Sequence, residues 1–228
     1  MAKATTAAPV SEVRINRFMA QVYLIMSLGL VVTGLTASWV SASMSRLLGM
    51  SILPGFAFGL FIVQVLIVVS LSAAAMRMKP AVAFVMFLLY SGLTGVTLSS
   101  IFLVYTEEHI AQVFWITAGV FFLSSMAGLL LKRDLSTSGN VLFMLLLGWI
   151  IAWLISWLFP YSTLNWALTY IGIAIFVGLT AYDTQRLKQM GSQLDKHPAA
   201  GGLAVLGALT LYLDFINLFL LILRARRR

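Results

Sequence analysis

Long apolar runs alternate with short polar breaks along the whole chain. The runs cover about 18–40, 52–76, 81–104, 110–131, 141–159, 164–187 and 203–223, and each is near the roughly 20 residues with which an α-helix crosses a bilayer. Pro80 suits the first turn of the third helix, where its missing N–H is no loss, and Pro160 follows the end of the fifth. Residues 1–17 read as an N-terminal tail closed by a short interfacial turn, 18–223 as one transmembrane domain, and 224–228 as a basic tail. The pattern predicts an all-α, polytopic membrane protein with seven transmembrane helices.

The last run differs from the others. It is apolar over its length yet carries a carboxylate, Asp214, near its middle. An ionisable group at that depth costs about 2.5 to 3.5 kcal/mol on insertion scales, so it is expected to face protein or trapped water and not lipid. At helical spacing Gly207, Thr210, Asp214 and Asn217 share one side, while Leu211, Phe215, Phe219 and Ile222 cover much of the rest. Such a helix packs inside a bundle with one polar seam. Small residues recur at every fourth position elsewhere, as Ser91, Gly95 and Ser99 in the third run and Ser124 and Gly128 in the fourth, which permits close helix contact.

Composition agrees with the pattern. Of the 228 residues 61% are hydrophobic and 10% charged, and a mean hydropathy of +1.00 lies outside the range of soluble domains. The net charge of +8 does not indicate nucleic acid, because the bases sit in short clusters between apolar runs and form no stripe. With no cysteine there is no disulfide, thiolate nucleophile or cysteine metal site.

Loop charge sets the orientation. The tail and the even-numbered connections, with Arg186 at the adjoining helix end, hold ten Lys or Arg, whereas the opposite connections hold only Arg46. The N-terminus is therefore expected in the cytoplasm. Arg224, Arg226, Arg227 and Arg228 run against this scheme. Either the last run crosses fully against the local preference, or it is re-entrant; its second half lacks a glycine or proline break, which favours the crossing.

Only two of the seven acids lie inside runs, Asp183 in GLTAYDTQRLK and Asp214 in LYLDF. Gly172, Phe176, Thr180 and Asp183 share a helix face, and two small, polar seams on consecutive helices are expected to meet. If the carboxyls meet in a low-dielectric interior both cannot stay ionised, and the pair shares a proton. The other reading has two separate buried acids, each satisfied by hydroxyls such as those of Thr180 or Thr210 and by trapped water. Glu107 and Glu108, on the face whose connections hold only Arg46 as a base, either concentrate cations at a mouth or are simply solvated.

The motifs YLIMSLGLVVTG, SGLTGVTLSSIFLVYT, KRDLS, AYDTQ and LYLDFINLFLLILR, spread over nearly the whole chain, resemble the Bax inhibitor-1 family, and its bacterial branch most. The resemblance implies six helices wrapped around the C-terminal one, and a pH-dependent calcium leak governed by an aspartate pair, here Asp183 and Asp214. It also implies suppression of cell death, association with other membrane proteins, and a bacterial inner-membrane location, with the endoplasmic reticulum as the eukaryotic counterpart. In some relatives a basic residue after the second helix touches the pair; Arg77 holds the similar place, where a cytoplasmic anchor is the other reading. Thr180, Thr210 and Asn217 are the expected supporting residues.

No cofactor is expected, with calcium as transported ion and not as resident metal: two carboxylates fall short of the six to eight oxygens calcium takes. An enzyme is not expected either. An intramembrane aspartyl protease also pairs two aspartates, but LYLD lacks the flanking glycines of such enzymes and no Pro-Ala-Leu element follows. The seventh run has no lysine for a Schiff base, and His109 and His197, the two histidines, sit in predicted loops. A regulator that docks on other membrane proteins without transport is the remaining alternative.

Overall fold

The computed structural model describes residues 8–47, 54–75, 77–131, 135–158, 162–192 and 200–226. Among them are seven α-helices and no strand: α1 (Ala8–Leu47), α2 (Pro54–Ala74), α3 (Pro80–Leu98), α4 (Glu107–Leu130), α5 (Ser136–Leu158), α6 (Ser162–Ser192) and α7 (Ala200–Ala225), with a 3-10 turn Ser99–Leu103 extending α3. Six of these are long and apolar enough to cross a membrane, and in α2 the stretch Gly59–Ala74 is apolar but shorter. The fold is that of a multi-pass membrane protein. In a bilayer each backbone N–H must bond within its own segment, which is why the apolar runs become helices.

Helix ends depart from the sequence reading in several places; α5 starts at Ser136 and α6 runs on to Ser192, each about five residues beyond the expected span. α1 starts at Ala8, so residues 8–17, expected as tail and turn, belong to the first helix, with Pro9 in the first turn where proline is tolerated. It also continues to Leu47, into the serine-rich stretch read as a connection. Glu107, Glu108 and His109, read as a loop, open α4, where the two carboxylates offset the positive end of the helix dipole. Lys132, Arg133 and Asp134, the connection 193–199 with His197 and Pro198, and Arg227 and Arg228 lie outside the described residues.

α7 is one unbroken helix of 26 residues, about 39 Å long at 1.5 Å per residue. That excludes the re-entrant hairpin. It is also the most enclosed helix: 72% of its apolar window is buried, against 11% for α5 and 39% for α6.

The chain forms two compact units, Met1–Glu107 with Met190–Tyr212, and Glu108–Gln189 with Leu213–Arg228. In the first, α1 and α2 pack on α3. The small-residue stripe makes this possible: a Cβ on Gly95 would come within 2.5 Å of the Thr33 carbonyl and 2.7 Å of Thr36. Gln64 of α2 donates to the Leu93 carbonyl (2.9 Å) and the Thr97 hydroxyl (2.7 Å), so this amide is satisfied within the protein. In the second unit, Gly128 of α4 lies against the Ala181 carbonyl of α6, and Gly172 of α6 against the Trp149 indole of α5. Trp149 Nε1 donates to the Leu168 carbonyl at 2.7 Å, and its ring meets Phe176 edge-on at 6.0 Å.

Candidate functional site, a carboxyl pair on α6 and α7

The second unit brings the two membrane acids together. The carboxyl groups of Asp183 on α6 and Asp214 on α7 lie beside each other, within reach of a shared hydrogen bond. Such a bond needs a proton, since a carboxylate only accepts; one acid donates and the other receives. Asp214 is 6% exposed and Asp183 half-buried. The second Asp214 oxygen, Oδ2, is buried and has no hydrogen-bond partner among the described residues. An unpaired buried oxygen of this kind costs about 1–3 kcal/mol, more if charged, and marks the place where a proton, water or cation would gain most.

Aromatic rings pack beside Asp214 along the chain. Phe215, next to Asp214, meets Phe114 and Phe121 of α4, each at 5.5 Å between ring centres. Arg186, exposed one turn along α6, is a positive charge that acts on Asp183. At the end of α7, Arg224 Nη2 donates to Asn165 Oδ1 of α6 at 3.2 Å.

The expected supporting residues make other bonds. The hydroxyls of Thr180 and Thr210 donate to the carbonyls of Phe176 (2.7 Å) and Leu206 (3.1 Å), and the Asn217 amide to that of Leu213 (2.8 Å). Each bonds its own helix four residues back, a common resting place for short polar side chains. Gly172 and Phe176, read as part of the Asp183 seam, pack on Trp149 of α5. Arg77 belongs to the first unit, where it is exposed just after α2 with its N–H bonded to the Ala74 carbonyl. Glu107 and Glu108 are exposed, and Glu108 accepts from the Gln112 amide at 3.3 Å.

Two groups of residues escaped the sequence reading. Around Asp183, Thr184 shares a hydrogen bond with Ser125 of α4 at 3.1 Å, and Tyr182 covers Gly139 of α5. Gln185 accepts from the Leu135 N–H (2.8 Å) and donates to the Leu131 carbonyl (3.1 Å), while Lys188 donates to the Leu129 carbonyl (2.9 Å). In the first unit the wholly buried Tyr212 places its hydroxyl 2.7 Å from that of Thr33, which also lies 2.9 Å from the carbonyls of Gly29 and Ser91. Phe87 and Tyr90 meet the Tyr212 ring edge-on at 5.5 and 5.8 Å.

Residues 15–226 match the family described as inhibitor of apoptosis-promoting Bax1. The chain belongs to the Bax inhibitor-1 family. It is 47% identical over 213 residues to inner membrane protein YbhL of Escherichia coli (strain K12), which covers 92% of this chain and 91% of that one. It is 40% identical over 211 residues to a protein of Borreliella burgdorferi, covering 92% and 90%, and 36% identical over 219 residues to a membrane protein of Streptococcus pyogenes serotype M1, covering 94% and 93%. For this Bax inhibitor-1 family chain the match takes in both Asp183 and Asp214.

Proposed function

We propose that this chain is a slow, proton-controlled calcium leak of the bacterial inner membrane, with Asp183 and Asp214 as its control point and no enzymatic activity. The observation that carries the reading is the adjacent carboxyl pair, with Oδ2 of Asp214 buried and unpaired among the described residues. A pair holding one proton is the state in which the two acids attract. Losing that proton sets two charges against each other, and gaining a second removes the charge-assisted part of the bond. Either change loosens α6 from α7 and exposes oxygens suited to a hard cation. Calcium would pass and not rest there, because two carboxyls supply too few ligands for a storage site. The location is supported by the name of the Escherichia coli relative and by the helices long enough to span a bilayer.

Purified protein in liposomes carrying a calcium-sensitive dye tests this. The native chain is expected to give a calcium flux that varies with pH. In Asp183→Asn or Asp214→Asn an amide replaces one acid, the pair no longer changes its proton count as a unit, and the flux should become flat across the range in which the native chain responds. Flux equal to protein-free liposomes at every pH would overturn the leak and favour a regulator that acts by docking on other membrane proteins.

A further inference from the structure

Asp183 sits in a stretch of α6 whose other faces are held. Ala181 lies against Gly128, where a side chain would strike the Ala181 carbonyl, and Tyr182 covers Gly139. Thr184 bonds Ser125, and Lys188 bonds the Leu129 carbonyl. The amide of Gln185 does more than one job. Leu131 follows the last residue of α4, so its carbonyl is one of those that the helix end leaves without an internal partner, and Gln185 Nε2 donates to it. Leu135 precedes the first residue of α5, so its N–H is one of the corresponding unpaired donors, and Gln185 Oε1 accepts from it. One side chain thus closes two helix ends across the connection that joins them. Residues two apart on a helix point to different sides, which lets Asp183 address α7 while Gln185 addresses α4 and α5.

We propose that Gln185 is a positioning residue for the carboxyl pair: by bonding Leu131 and Leu135 it joins residues 181–188 of α6 to the end of α4 and the start of α5 as one block, so that when Asp183 parts from Asp214 these two helix ends move with it. This rests on the pair being the control point. Among the described residues the charged groups concerned are Asp183, Arg186 and Lys188 on α6 and Asp214 on α7; the residues named above as touching this stretch from α4, α5 and their ends, Ser125, Gly128, Leu129, Leu131, Leu135 and Gly139, carry no charge. Lys132, Arg133 and Asp134 of the connection lie outside the described residues.

The absence of cysteine from the sequence permits a direct test. A single Leu135→Cys reporter, in detergent-solubilised full chain, is labelled with a water-soluble maleimide across a pH series beside a free-thiol standard. The labelling rate relative to the standard is expected to change with pH, and the change is expected to disappear in Asp214→Asn. It should also disappear in Gln185→Met, which keeps the length of the side chain and removes both bonds, and shrink in Lys188→Met, which removes one exposed contact and serves if the first variant folds poorly. Gln185→Glu, which keeps the acceptor for the Leu135 N–H, should restore part of it. A relative rate that is constant with pH in the native background, or a pH response in the Gln185→Met and Lys188→Met variants equal to the native one, would overturn the proposal. Liposome flux separates the two readings: a Gln185-dependent labelling response without calcium flux keeps the block and removes the leak, whereas pH-dependent flux with an unaltered profile in Gln185→Met does the reverse.

Discussion

Tyr212 and Asp214 stand two residues apart on α7, and each unit of the molecule meets the burial of its polar group differently. Tyr212, in the first unit, gives its hydroxyl to a neutral chain: it lies 2.7 Å from the Thr33 hydroxyl, which reaches the Gly29 and Ser91 carbonyls at 2.9 Å. Thr33 has a single proton, and both carbonyls only accept, so the consistent arrangement has Tyr212 donating to Thr33 and Thr33 donating onward. No member changes charge near neutral pH. Asp214, in the second unit, lies beside another acid and keeps one buried oxygen with no partner among the described residues. The first arrangement is complete in a single state and the second is complete only at one proton count. Burial of polar groups in a membrane helix serves packing where the groups are neutral and mutually satisfied; where they are acids that must share a proton, the proposed function makes the same burial a switch.

The widest separation between the two should come from Tyr212→Ala. It removes a fully buried ring that Phe87 and Tyr90 contact edge-on, and loss of a buried aromatic costs about 3–5 kcal/mol. Thermal unfolding in detergent should show a large drop, while the pH profile of calcium flux from protein that remains folded should keep its native midpoint. A shifted midpoint would break the comparison, because the neutral cluster would then share in the switch.

Two glycines give a matched pair of smaller effect. Gly95 lies against the Thr33 carbonyl and Gly128 against the Ala181 carbonyl, both backbone atoms with little freedom to retreat. Alanine at either position forces helices apart, at about 1–3 kcal/mol for overpacking. Gly95→Ala should lower stability and leave the pH profile unchanged. Gly128→Ala should lower stability by a similar amount and also move the profile, because Ala181 lies two residues from Asp183. Equal profiles in the two variants would show that the close approach of α4 and α6 is packing alone.

These contacts also show what a reader of the sequence can and cannot find. Spans are legible because twenty apolar residues in a row have few alternatives to a membrane helix, and the stripes through Gly95 and Gly128 are legible because their four-residue spacing survives without knowing the partner. Asp183 and Asp214 stand out because acids inside apolar runs are rare. Tyr212 does not, since an aromatic residue in an apolar run resembles any other packed ring, and the hydroxyl that answers it is 179 residues away. Gln185 reads as the polar end of a helix; its role depends on where α4 stops and α5 begins, and helix ends follow capping and local bonds more than hydropathy. For the same reason residues 8–17 and Glu107 and Glu108 were read outside helices that in fact include them.

The finest test of the comparison is Tyr212→Phe, which keeps the ring and deletes the oxygen. Its edge-on contacts with Phe87 and Tyr90 remain, and Thr33 can still donate to the Gly29 or Ser91 carbonyl. What is lost is one neutral hydrogen bond, about 1 kcal/mol, with no buried donor left unpaired, because Thr33 is left short of a donor and not of an acceptor. Unfolding in detergent should therefore register a small drop, several times less than for Tyr212→Ala, and the calcium flux should keep both its size and its pH midpoint. A drop as large as that of the alanine variant would mean that the hydroxyl chain, and not the aromatic packing, holds α1, α3 and the first half of α7 together. The neutral cluster would then depend on its polar bond as strongly as the carboxyl pair depends on its proton.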